Sequence, residues 1–197
     1  MYDSVTPTDI PASARMVAGY VDGRYAWSAQ AWRRWRGARF VRIAVLASTN
    51  DGNVLDVERG DATPAQSVGW VLMRRRAGGD PSVYCNASTW PAVRAAFHAA
   101  GVAEPHYWIA SWGTGPTGIA GAVAHQYADP PASGGHYDLS VVADYWGGVD
   151  PLAPAPATAG RHATIAAWDH IRGLLGVTLP AWSAQLAAIK TEVDKIG

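Results

Sequence analysis

"VLDVERGDAT", residues 54–63, places Val54, Leu55 and Val57 in a short apolar run and breaks that run with two acids, Asp56 and Glu58. The run reads as a β-strand. Side chains alternate along a strand, so residues two apart point to the same side, with α-carbons about 6.6 Å apart. Whatever Asp56 faces, Glu58 faces too. That face is either solvent or a site. The flanking residues read as buried, which favours the site. Pro64 then falls in the first turn of a helix, with Asp61 expected as its cap.

Working outward, seven further apolar runs of strand length occur, at 1–5, 16–21, 40–47, 82–87, 106–112, 122–128 and 137–142. Most are rich in Val, Ile, Tyr or Trp, as strands are. Helical patterns fall at 27–37, 62–79 and 88–101, the second closing on Arg74-Arg75-Arg76 and Gly78-Gly79. The connections 48–53, 113–121 and 129–136 are too short or too rich in Gly and Pro for helices. The pattern is α/β, and helix-poor after residue 112. Eight strands with so few helices predict an irregular, flattened TIM-like barrel over residues 1–150; a doubly wound open sheet is the other architecture that fits. Residues 151–160 read as an Ala/Pro linker. Residues 161–197 read as a short C-terminal helical tail. Its last helix carries Trp182, Leu186, Ile189, Val193 and Ile196 in a narrow seam. Such a seam suits self-association or packing on the barrel.

Composition narrows the function classes. Lys+Arg and Asp+Glu balance at 16 each, so no basic excess argues for nucleic acid or an anionic membrane surface. No run approaches the roughly 18 apolar residues of a membrane span. The amino-terminal residues lack the basic and apolar regions of a secretory signal, so synthesis in the cytoplasm without a signal peptide is expected. A single cysteine, Cys85, excludes an intramolecular disulfide, and its apolar neighbours mark it as an inert buried thiol. Ten Trp and eight Tyr stand against two Phe. Trp and Tyr pair a flat apolar face with a polar handle, which suits sugar rings as well as cores.

Acids recur in other strands: Asp3 in the first and Asp138 in the last. In a parallel barrel the functional mouth lies at the carboxyl ends of the strands. Asp3, Asp56, Glu58 and Asp138 are therefore expected to converge, with Tyr84, Asn86, Trp108, Trp112, Gln126 and Tyr127 around them. Carboxylates rimmed by Trp and Tyr have the composition of a glycosidase cleft, in which one carboxyl stays protonated beside its neighbours and donates to the leaving oxygen. His125 and His136 lie near the same mouth, but no metal-ligand spacing surrounds them.

"LDVE" (55–58), "VYCNAST" (83–89), "YWIASW" (107–112), "HQYAD" (125–129) and "YDLS" (137–140), in this order, resemble glycoside hydrolase family 25, the lysozymes of phages and bacteria, and more closely that family's glycoside hydrolase-like relatives. The resemblance covers residues 1 to 150. The family's first strand carries Asp-x-Ser, whereas here Ser4 follows Asp3 directly. The resemblance implies a flattened eight-stranded barrel and cleavage, with net retention, of the β-1,4 bond after N-acetylmuramic acid in peptidoglycan. It implies Glu58 as general acid and Asp56 as the residue that holds or polarises the substrate's 2-acetamido group, the internal nucleophile. Asp138 and Asp3 would shape the floor; Tyr84, Trp108, Gln126 and Tyr127 would line sugar subsites. No cofactor is implied. A phage-type lysin, acting on the wall after release or as a virion component, is the corresponding setting. Alternatives are a barrel that binds carbohydrate without turnover, or a hydrolase of another envelope glycan.

Overall fold

The computed structural model describes residues 1–151. Eight strands follow one another around a closed barrel in chain order: β1 (Tyr2–Asp3), β2 (Met16–Tyr20), β3 (Arg39–Ala44), β4 (Val54–Asp56), β5 (Ser82–Asn86), β6 (His106–Ala110), β7 (Ala124–Ala128) and β8 (Asp138–Val142). Each lies within a residue or so of an expected run, and the open-sheet alternative is excluded by closure. Three α-helices accompany them: α1 (Ala29–Trp32), α2 (Pro64–Arg76) and α3 (Trp90–Ala99). The connections 48–53, 113–121 and 129–136 contain no helix. All but the first residue of the expected linker, and the whole expected helical tail with its apolar seam, lie outside the described residues.

One strand departs from a parallel barrel. β8 runs antiparallel to both β7 and β1. The helix-free connection 129–136 hands the chain back at the end where β7 finishes. Asp138 therefore reaches the mouth from the amino end of its strand, not from a carboxyl end.

Strand alternation sorts the apolar residues into two sides. Outside the barrel, Leu55, Val57, Val83, Cys85, Tyr107 and Ile109 pack under α2 and α3 with Trp70, Val71, Val93 and Phe97. Helix α2 starts with a reciprocal capping box between Thr63 and Gln66, so Thr63 caps it and Asp61 does not. Cys85 is buried here, and burial pushes its thiol up to about 12, which keeps it inert. On another flank, Trp27 lies flat on the β2 backbone at Gly19. A Cβ there would sit 2.5 Å from the indole, so only glycine admits this contact.

Inside, three aromatic rings fill the barrel end to end. Trp146 is fully buried and donates from Nε1 to Ser82 Oγ at 2.7 Å. It meets Trp108 edge to face at 6.0 Å, and Trp108 meets Tyr84 at 4.8 Å. Such offsets suit the ring quadrupoles, and the interior is a packed core rather than a pore. The column ends at the tyrosine hydroxyl, and the acids begin there.

Candidate active site

Asp56 closes β4, and its carboxyl lies inside the barrel wall at 4% exposure. The next residue, Val57, turns outward into the helix-covered core, and its N–H still reaches the Tyr84 carbonyl at 2.9 Å. The alternation thus persists past the strand end and returns Glu58 to the side of Asp56. Glu58 is half-buried at the rim. Burial raises its pKa, with the charge of Asp61 adding to the effect. Asp56 is raised further, by burial first and then by Glu58, Asp61 and Asp3. The sequence led to the expectation that Glu58 carries the raised pKa; the deeper enclosure of Asp56 makes it the more strongly perturbed of the two. Oδ1 of Asp56 is buried without a hydrogen-bond partner.

Asp3 and Asp138 meet across the β1–β8 pair, as direct register partners. Gln126 joins them. Its Nε2 donates to Oδ2 of Asp3 at 3.0 Å and to Oδ2 of Asp138 at 3.3 Å. Its Oε1 accepts from Tyr84 Oη at 2.9 Å and from Trp112 Nε1 at 3.1 Å. Both amide donors and both acceptor positions are in use. Burial pushes the Asp3 carboxyl well up, and the charge of Asp138 adds to this. Asp138 is itself pushed up to about 6, by burial first and by Asp129 next.

The remaining expected residues separate. Trp112 stands at the mouth with its indole N–H anchored on Gln126 and its ring 53% exposed. Asn86 is half-buried at the end of β5, and its Oδ1 accepts from Ser88 Oγ and the Thr89 N–H at the start of α3. Tyr84 is buried, with only its hydroxyl end reaching the cluster. Trp108 is corrected from subsite to core: it is 1% exposed and donates to Ser140 Oγ at 3.1 Å. Tyr127 is corrected too. Adjacent strand residues face opposite sides, so with Gln126 turned inward Tyr127 lies on the outer side, against the His125 ring.

Two contributors were missed in the sequence. Tyr20 ends β2 on the inward side, and burial, then the charges of Asp56, Asp3, Asp138 and Glu58, push its phenol upward. The alternation Met16, Ala18, Tyr20 is the signal that could have found it. His125 is fully buried outside β7 and ties down the β6–β7 loop. Its Nδ1 donates to the Thr117 carbonyl, and its Nε2 lies 3.0 Å from the Ser111 carbonyl and 3.2 Å from Thr114 Oγ1. The loop it fixes carries Trp112. No local pattern in the sequence announces that role.

Among the described residues no group of three or more His, Cys, Asp or Glu side chains is placed to hold a metal ion. No helix among them is long and apolar enough to cross a membrane. The fold and site together define a closed mixed barrel with an acid-lined mouth and an aromatic rim. No family model matches the sequence, and no curated protein is similar to it. Among solved structures the chain is similar to a Tat-secreted protein of Mycobacterium tuberculosis, crystallised in complex with HEPES. The two are 14% identical, with 76% of this chain and 98% of that chain covered and a TM-score of 0.48.

Proposed function

We propose that the protein is a glycoside hydrolase of the lysozyme type, cutting the β-1,4 glycosidic bond of peptidoglycan strands with Glu58 as general acid. One observation carries this reading. A half-buried carboxyl with a raised pKa, Glu58, stands at the mouth of a closed barrel beside the enclosed Asp56, with Asp3 and Asp138 in the same charge cluster. A carboxyl kept protonated toward neutral pH can give its proton to the leaving oxygen as the glycosidic bond breaks.

In this reading the acetamido oxygen of the substrate attacks the anomeric carbon from the opposite face. Asp56, enclosed in the barrel wall beside Glu58, helps hold the acetamido group and so aims that oxygen. Water then opens the cyclic intermediate, with Glu58 now taking the proton, and configuration is retained. Burial and the neighbouring charge of Asp61 keep Glu58 protonated, while Asp3 and Asp138, tied by Gln126, shape the floor. The setting that fits is a lysin acting on the bacterial wall.

The near-complete enclosure of Asp56 favours a second reading, a barrel that binds glycan without turnover. Glu58→Gln separates the two. It keeps shape and hydrogen bonding but removes the transferable proton, so hydrolysis of purified cell walls should fall by about 10²–10⁴-fold while folding persists. Wall clearance equal to the parent's would rule out Glu58 as the acid. A parent that binds strands and releases no new reducing ends would establish the second reading.

A further inference from the structure

Val5, Tyr25, Leu46, Trp112 and Tyr145 are the exposed large apolar side chains among the described residues. The first four stand in loops that leave β1, β2, β3 and β6 at the mouth; Tyr145 follows β8 at the other end. Two of the four are aromatic. Trp112 is anchored to the acid cluster through Gln126. Tyr25 stands on a short loop that leaves β2 and returns to it, because the Trp27 N–H donates back to the Tyr20 carbonyl at 2.9 Å. Its ring is 47% exposed and 6.4 Å from that of Tyr20, the inward tyrosine among the acids. The Arg24 guanidinium lies 5.4 Å from the ring centroid and braces the ring, which remains about half exposed.

In a closed ring of eight strands in chain order, β2 and β6 lie opposite one another, and so do β4 and β8. The line from Tyr25 to Trp112 therefore crosses the line from Asp56 and Glu58 to Asp138. We propose that Tyr25 is a second sugar platform, and that a glycan strand lies across the mouth from the β2 loop to the β6 loop, stacked on Tyr25 at one end and Trp112 at the other, with the acids beneath the bond between. The inference rests on the glycosidase reading and adds the binding direction and a residue that reading does not use. A chain of pyranose rings offers flat apolar faces to the platforms and hydroxyls to the carboxylates, which matches both features of the mouth.

The test uses the full chain carrying Glu58→Gln, titrated calorimetrically with N-acetylglucosamine oligomers of increasing length and with solubilised peptidoglycan strands. Affinity should climb with length until both platforms are reached. Tyr25→Ala and Trp112→Ala should each weaken binding of the long ligands about tenfold, additively, since the sites lie on opposite sides of the ring. Tyr25→Phe should restore binding. Both side chains are exposed, so the unfolding midpoint should stay at that of the host protein and serves as the folding control. If Tyr25→Ala binds long strands as well as the host while the parent cuts walls, the second platform is refuted and the glycosidase reading stands. If the host binds no glycan and the parent cuts none, both fall.

Discussion

Asp3 and Asp138 face each other as register partners across the antiparallel β1–β8 pair, and one amide, Gln126, donates to both carboxyls. The same amide accepts from Tyr84 and Trp112. It thereby couples the charge of the floor to the position of an exposed indole.

Gln126→Leu should therefore cost more than an ordinary polar deletion. The buried Tyr84 hydroxyl loses its acceptor and Asp3 loses its donor inside a sealed site. Each such orphan costs about 1–3 kcal/mol, so a loss on the order of 3 kcal/mol is expected in a denaturant titration. Tyr84→Phe should cost clearly less in the Gln126→Leu background than in the parent, because the shared bond is already gone. Equal costs in both backgrounds would show that the bond contributes nothing.

The three tryptophans along the barrel axis should sort by depth. Trp146→Ala and Trp108→Ala empty fully buried positions, and each should cost about 3–5 kcal/mol. Trp112→Ala should cost no more than about 0.5 kcal/mol, because its ring stands in solvent. Thermal unfolding of the three variants checks the order.

Much of the barrel was legible from the sequence because its signal is local. Apolar runs of strand length, with Gly and Pro between them, locate every strand to within a few residues, and one carboxylate pair at spacing two marks the mouth. The reversed direction of β8 was not legible, since a run of five residues has no direction in its composition. Trp108 and Trp112 illustrate a second limit. They sit four residues apart in "WIASW", yet one is core and the other rim, because β6 ends at Ala110 between them. Tyr127 was misplaced although the signal was there: it adjoins Gln126, and two neighbours on one strand cannot both face the mouth. Trp146, buried inside the barrel against Trp108, lies beyond the last strand and outside every expected run.

Stability should fall as pH rises from about 4 toward neutrality. An unfolded aspartate ionises near 3.9, whereas Asp138 holds its proton up to about 6 and the more enclosed Asp3 and Asp56 hold theirs beyond the ordinary range. Through that window the unfolded chain binds fewer protons than the folded one, so the unfolding free energy decreases with pH. The sign is opposite to that of a protein held by salt-bridged carboxylates, which loses stability on acidification. Melting temperatures measured between pH 4 and pH 8 should show a downward trend; a rise across that range would mean that the acids of the mouth are not held protonated.

Asp56→Asn then isolates the residue with which the sequence opened its question. In the parent, Asp56 is enclosed, carries a buried oxygen without a partner, and is crowded by Glu58, Asp61 and Asp3. Well below the unfolded value, at about pH 3, its carboxyl is neutral in both states, and an amide of the same shape should change stability little. Above that pH the unfolded parent gains from ionising Asp56 while the folded parent does not, by about 1.4 kcal/mol for each pH unit through which the fold keeps the proton. The asparagine variant escapes this drift. Its melting temperature should match the parent's at about pH 3 and exceed it at pH 8. Hydrolysis should move the other way, because the amide replaces one of the two carboxyl oxygens near the acetamido group by a donor. A site that destabilises the fold for the sake of chemistry shows this opposition between stability and rate. If Asp56→Asn were less stable than the parent at pH 8, the carboxylate would be a structural ligand of the barrel, and its assignment to the substrate would have to be withdrawn.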